Sequence, residues 1–337
     1  MVFLRSLLPL LALAPAASSA FAPSPAFRAS SSATVLSASP SASDELCDSP
    51  AALDRRSALS RAASLALGLP LAASALSVPS PANAADLKTV VVAGATGQTG
   101  RRILERLAGT PGLSVVGGVR NVDKASKALG ESSTVVRGAM VQKVGSVDTA
   151  GVDLRRLDVV SDSVDAIAET LRGADALVIA VGFVPGNPLK MTQAAHEVDN
   201  VGTIRLIDAA KAAGVSKIVL VSSILTDGRA WGQADSPGFV ITNAFGKVLD
   251  EKIVAERYLR SAGIDYTIVR PGGLKAKPPT GELKISGENT LNSGEISRDL
   301  VADVCVASLT DAKASNKVLE IIEDEGVPPK VFNGLNM

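Results

Sequence analysis

From Thr89 onward the chain alternates short, β-branched apolar runs with stretches in which apolar residues recur every three or four positions. The runs Thr89–Ala93, Ser114–Val119, Asp153–Leu157, Ala176–Ala180, Lys217–Val221 and Tyr266–Val269 predict strands, and their near-continuous hydrophobicity predicts a sheet covered on both faces. The longer periodicity predicts helices over Thr99–Leu107, Ser161–Leu171, Met191–Ala213 and Phe245–Ser261. Gly214 and Gly263 are placed to stop two of these helices in the left-handed conformation. Strand and helix in strict alternation imply right-handed crossovers, hence an α/β fold with a doubly wound parallel sheet. Two stretches break the rhythm. Gly130–Gly151 is a polar insertion, and Thr226–Thr242, which contains Trp231, follows a strand end and is either a lid over a ligand or an ordinary surface loop.

Residues 1–85 follow neither period. Residues 1–20 combine Arg5, an apolar run from Leu7 to Ala17 and a small-residue end, the pattern of a secretory signal peptide. Residues from 21 to about 53 begin with a stretch rich in Ser, Ala and Pro that has no acidic residue as far as Ser43, the composition of a transit peptide. From about 54 to 84 come Arg55-Arg56, an apolar segment from Ala62 to Val78, and Ala82-Asn83-Ala84. These look like a twin-arginine thylakoid-transfer signal with its cleavage site. The join Ala20-Phe21-Ala22-Pro23 resembles the cleavage site of two-part leaders that enter algal plastids of secondary origin. The expected address is therefore the plastid, in the thylakoid lumen or alternatively the stroma. Interrupted by Gly68 and Pro70, the apolar segment is short for a membrane span, so no permanent span is expected in the mature domain, 86–337.

Composition removes several classes of function. Thirty-four basic residues balance 34 acidic ones, and no stretch concentrates positive charge, so a nucleic-acid partner is not expected. With one histidine, His196, and two cysteines, of which Cys47 lies in the leader, neither a metal site nor a disulfide is expected in the domain. Cys305, within an apolar helical pattern, reads as a small buried hydrophobe.

The chemistry begins at Gly94-Ala95-Thr96-Gly97-Gln98-Thr99-Gly100, a glycine loop that leaves an apolar strand and opens a helix. Gly94 permits the turn, Gly97 permits backbone approach to a pyrophosphate, and Gly100 permits close helix–strand packing, while the helix N-terminus offers free N–H groups and a partial positive charge. This pattern predicts a Rossmann dinucleotide site. The next strand ends at Arg120, where a site for NAD places an acid on the ribose 2′-hydroxyl; a guanidinium there, helped by Lys124, pairs with the 2′-phosphate, so NADP(H) is expected over NAD(H). Asp158 is placed either to meet the adenine amine or to cap the helix near Ser161. Ala180-Val181-Gly182 supplies small residues where the ribose and nicotinamide cross the backbone.

Together with Val198-Asp199-Asn200-x-Gly202, Ile218-Val219-Leu220-Val221-Ser222-Ser223, Lys252-x-x-x-Glu256, Tyr266-Thr267-Ile268-Val269-Arg270-Pro271-Gly272-Gly273 and Ile296-Ser297-Arg298-Asp299, this loop resembles the atypical short-chain dehydrogenase/reductase superfamily. The likeness is to its plastid NAD(P)H-binding group and runs from about Lys88 to about Ile322. It implies that Lys252 holds the nicotinamide ribose, that Ser223 polarises a substrate carbonyl, and that Pro271 and Gly272 form a turn beside the nicotinamide. It also implies a tyrosine four residues before the lysine as proton donor, but that position is Val248. Tyr258 is expected against the sheet, and Arg270 either reads a substrate anion or is a buried structural residue. Two functions stay open: an oxidoreductase acting on a small-molecule substrate, or a cofactor-binding sensor, assembly factor or tether partnered with a photosynthetic protein complex.

Overall fold

The computed structural model describes residues 87–335 apart from 132, 138, 139 and 331; the leader and its three expected signals lie outside the described residues. Eight strands form the main sheet: β1 (Thr89–Ala93), β2 (Ser114–Val119), β5 (Val152–Arg156), β6 (Ala176–Ile179), β7 (Lys217–Val221), β8 (Asp265–Pro271), β10 (Glu282–Ser286) and β12 (Lys317–Asp324). Their order is β10-β12-β8-β7-β6-β1-β2-β5, parallel throughout except for the edge strand β10, which runs antiparallel to β12. The order reverses between β1 and β6, and beyond the carboxyl ends of these two strands lies the crevice where such sheets bind ligands.

Side-chain alternation along β1 splits the core. Val90 and Val92 join one apolar cluster with α1 (Gly100–Ala108), α2 (Val122–Gly130) and α8 (Arg298–Ala307); Val91 and Ala93 join the other with α3 (Val164–Thr170), α5 (Thr203–Ala213) and α7 (Val248–Ser261). Each fully buried Leu or Ile in these layers contributes roughly 1.5–3 kcal/mol, which is what holds the helices on the sheet.

Three departures from the pattern matter. Within the polar insertion the chain forms a hairpin, β3 (Ser133–Arg137) with β4 (Met140–Val144). The stretch Thr226–Thr242, read as lid or surface loop, carries a short helix, α6 (Pro237–Asn243), and packs Phe239 with Leu225 and Leu249, so it is packed ground rather than a free flap. The expected helix Met191–Ala213 is three pieces: α4 (Met191–Ala195), a π-helical turn over His196–Gly202, and α5. A π-turn shifts the side-chain positions that follow it and is frequent at functional sites. Gly214 ends α5 in the left-handed conformation, as its position predicts. Between β8 and α8 lie β9 (Gly273–Lys275) and β11 (Glu295–Ser297), a small parallel pair on the C-terminal side.

Candidate functional site

Gly94 leaves β1 with φ +83°, and a Cβ there would stand 2.8 Å from the Ala180 carbonyl oxygen and 3.2 Å from Val181 Cγ1. A Cβ on Gly100 would stand 2.2 Å from the Gly94 carbonyl oxygen, so the first turn of α1 lies directly on the loop. Gly97 donates its N–H to that same carbonyl at 2.9 Å. The N-terminus of α1 is left open: Thr99 at the cap makes no side-chain bond and the first turn holds no acid, whereas Asn121, Ser163, Ser236 and Ser297 cap α2, α3, α6 and α8. The N–H groups of Arg101 and Arg102 are taken by the Gly97 and Thr99 carbonyls, so what this uncapped end offers a phosphate is the first N–H of the helix, at Gly100, and those of the loop just before it. Arg102 steadies the cradle, bonding the Gln98 carbonyl at 2.7 Å and Asp299 of α8 at 3.2 Å.

Thr96, Arg120, Asn121 and Lys124 border an open depression of about 370 Å³ next to the loop, with Arg120 and Lys124 exposed to it. The carboxylate of Asp158 accepts from the Val160 N–H at 3.0 Å. Burial alone would raise its pKa, but the bonds from Val160 and Ser161 and the nearby Arg120 charge hold it below the ordinary value. Asp158 is thus committed to its turn while facing the guanidinium field.

At the other end, Gly182 and Phe183 continue from β6. The Phe183 N–H donates to Asp199 Oδ2 at 3.0 Å, and the position of a Cβ on Gly182 lies 3.7 Å from Asp199 Oδ1. Lys252, on the first turns of α7, places Nζ 2.8 Å from Asp199 Oδ1. His196 and Asn200 of the π-turn meet Glu251 at 2.9 and 2.7 Å. Val248 packs on the small apolar cluster of Ile224, Leu225, Phe239 and Leu249, so the position expected for tyrosine is a hydrophobic anchor. Ser223 is half-buried just past β7 and its carbonyl accepts from Thr226 Oγ1; its neighbour Ser222 donates to Glu256 Oε1 at 2.5 Å and faces the interior.

For Arg270 one of two open alternatives is decided, and for Tyr258 the expectation is corrected. Arg270 reads no substrate anion: it is fully buried, with Glu256 at 2.7 Å, Glu288 at 3.1 Å, Glu320 at 3.3 Å and Asn289 at 3.0 Å. Burial opposes its charge, but these three carboxylates outweigh burial and push its pKa up. Tyr258 is not packed on the sheet; it is exposed and donates to Asp208 Oδ1 at 2.5 Å. Gly272 is required for packing within the chain, since a Cβ there would meet the Gly294 carbonyl oxygen at 2.5 Å. Its N–H and the carbonyl of Pro271 are taken by Ile321 and Ile224.

Sequence reasoning assigned no role to Asp199 or Glu323. Glu323 accepts from the N–H groups of Thr280, Gly281 and Ser297 and from Lys275, tying residues 275–297 to β12. Burial works against its charge, yet these donors bring its pKa down to about 2. Asp199 stands within the motif Val198-Asp199-Asn200, but nothing local gives either acid its partners, because these lie far away in sequence. Cys305 is buried and its thiol is pushed up to about 12 by burial, in keeping with a packing role. Among the described residues no group of His, Cys, Asp and Glu is placed to hold a metal, and no helix is long and apolar enough to cross a membrane.

The family described as NAD(P)H-binding matches residues 94–312. An uncharacterized chloroplastic protein of Arabidopsis thaliana is 42% identical over 254 residues, 75% of this chain and 83% of that protein. The chloroplastic protein TIC 62 of Pisum sativum is 30% identical over 271 residues, 78% of this chain but 48% of its own length. Among solved structures, the anaerobilin reductase ChuY of Escherichia coli O157:H7 aligns with a TM-score of 0.52 at 25% identity, covering 73% of this chain and all of that one. Glycine cradle, switch point and family match agree, and this chain belongs to the NAD(P)H-binding family of the atypical short-chain dehydrogenase/reductase type, with a nicotinamide dinucleotide as its cofactor.

Proposed function

We propose that this protein is a plastid NADP(H)-dependent oxidoreductase acting on a small molecule. The observation that carries the cofactor reading is the uncapped α1 cradle opening onto Arg120 and Lys124. Gly94 to Gly100 receive the pyrophosphate through backbone N–H groups, Arg120 pairs with the 2′-phosphate, and Asp158 borders the adenine side. Ala180, Val181 and Gly182 let the chain beyond the pyrophosphate pass to Lys252. The bound cofactor supplies a hydride; the protein's part is to hold and orient it and to keep one face open. Ser223 polarises the acceptor, and with Val248 in an apolar cluster the proton comes from the substrate or from water. The chloroplastic names of the Arabidopsis and pea relatives support a plastid address, and the leader supports passage onward to the lumen, or residence in the stroma.

Arg120→Asp is expected to weaken NADPH on the order of 100-fold while changing NADH less than about threefold, measured by cofactor fluorescence titration. Equal losses for both would remove the case for 2′-phosphate recognition.

Val248 favours a second reading, a cofactor-loaded sensor, assembly factor or tether without turnover, to which the likeness to TIC 62 adds weight. Turnover separates the two. NADPH oxidation is expected with at least one member of a panel of quinones, aldehydes and enones, and to fall sharply in Lys252→Ala. A panel silent at the no-protein rate, together with NADPH-dependent capture of a photosynthetic complex, would establish the second reading instead.

A further inference from the structure

A lysine on a four-carbon stem is a poor orienting group unless something fixes its head. In this site the tyrosine that would crowd it is absent, yet Lys252 is not loose: its side chain is 17% exposed and its ammonium sits 2.8 Å from a carboxylate that is wholly buried. That carboxylate, Asp199, is itself fixed. The π-turn carries it, and Oδ2 takes the Phe183 N–H at 3.0 Å. Oδ1 faces the Lys252 ammonium in a charge-assisted contact. No other bond from the Lys252 ammonium occurs among the described residues, so the ion pair engages one of its three N–H donors and leaves two for a ligand. Oδ1 also lies 3.7 Å from where a Cβ would stand on Gly182, the residue that follows the β6 crossing over the glycine loop. The pair therefore marks the end of the crevice opposite Arg120.

We propose that Asp199 is the positioning residue of the nicotinamide half of the site: it holds Lys252 so that the ammonium donates to the ribose next to the nicotinamide. The inference rests on the cofactor reading above. The π-turn is the structural means, because in an unbroken α-helix the side-chain positions after His196 would fall on another face and Asp199 would not meet α7.

The test compares two ligands on wild type, Asp199→Asn, Lys252→Met and the double variant: NADPH, and 2′-phosphoadenosine 5′-diphosphate, which lacks the nicotinamide and its ribose. Each single variant is expected to weaken NADPH about tenfold and leave the fragment within about twofold, with the double variant no worse than the singles because the pair acts as a unit. Additive losses for NADPH, or unchanged NADPH binding in Asp199→Asn, would overturn the proposal. So would loss of both ligands in Asp199→Asn, folded or not, since Asp199 would then be structural. Failure of wild type to bind either ligand would instead overturn the cofactor reading.

Discussion

Replacing Arg270 with leucine is expected to destabilise the domain by about 3–5 kcal/mol, seen as a fall in the midpoint of urea unfolding. Arg270, Glu256 and Glu320 are all fully buried. Removing the guanidinium leaves Glu320 in the interior without its cation and Glu256 with only Arg260, 3.7 Å away, and neither can be resolvated without opening the layer between α7, β8 and β12. Glu256 also receives the Ser222 hydroxyl, and Glu320 receives the N–H groups of Asn289, Thr290 and Leu291, so the damage spreads to α7 and to the segment before β11. By contrast, most of the Arg257–Asp227 pair is in solvent on the arginine side, and surface pairs of this kind contribute about 0–1 kcal/mol. A loss below about 1 kcal/mol for Arg270→Leu would mean that the buried acids take up protons or water at little cost, and that the cluster does not organise the C-terminal half.

Gly100→Ala is expected to abolish tight cofactor binding, with NADPH weakened by at least about 100-fold, while the sheet and most helices persist. The added methyl meets backbone: 2.2 Å to the Gly94 carbonyl oxygen and 2.9 Å to its carbon. A flexible side chain could swing aside, but here either α1 or the loop must move. Gly94 cannot absorb the shift freely, because it is left-handed and its own back is against Ala180. The displaced element is the one proposed to meet the phosphates, so the cost is expected to fall on binding more than on folding. The measurement is a cofactor titration beside a thermal melt. NADPH affinity within about threefold of wild type would show that the α1 N-terminus is not where the phosphates sit.

Much of the framework was legible. β1, β2 and β7 lie where the apolar runs place them, since strands buried on both faces have no polar face to blur their ends. β12 and α6 were not, because each is stabilised by distant partners: β12 by β8 and β10, and α6 by Leu225 and Leu249. The π-turn leaves no trace in composition, as one extra residue in a helical period looks like noise over seven positions. For Arg270 the sequence allowed two fates, a ligand for a substrate anion or a structural cation. What decided between them was the arrival of Glu256, Glu288 and Glu320 from three other segments.

The sequence by itself determined six strands of the sheet, its doubly wound parallel character and the glycine loop, because local period, turn residues and handed crossovers are short-range properties that each segment carries alone. It also placed Arg120 at the end of β2, with Lys124 just beyond it, where a one-strand offset from the loop suffices. Only the tertiary structure decided which charges are buried, which serine faces inward and which acid stands against Lys252. Those outcomes depend on groups meeting across long sequence separations, and on a buried charge being tolerated only where an opposite one comes to meet it.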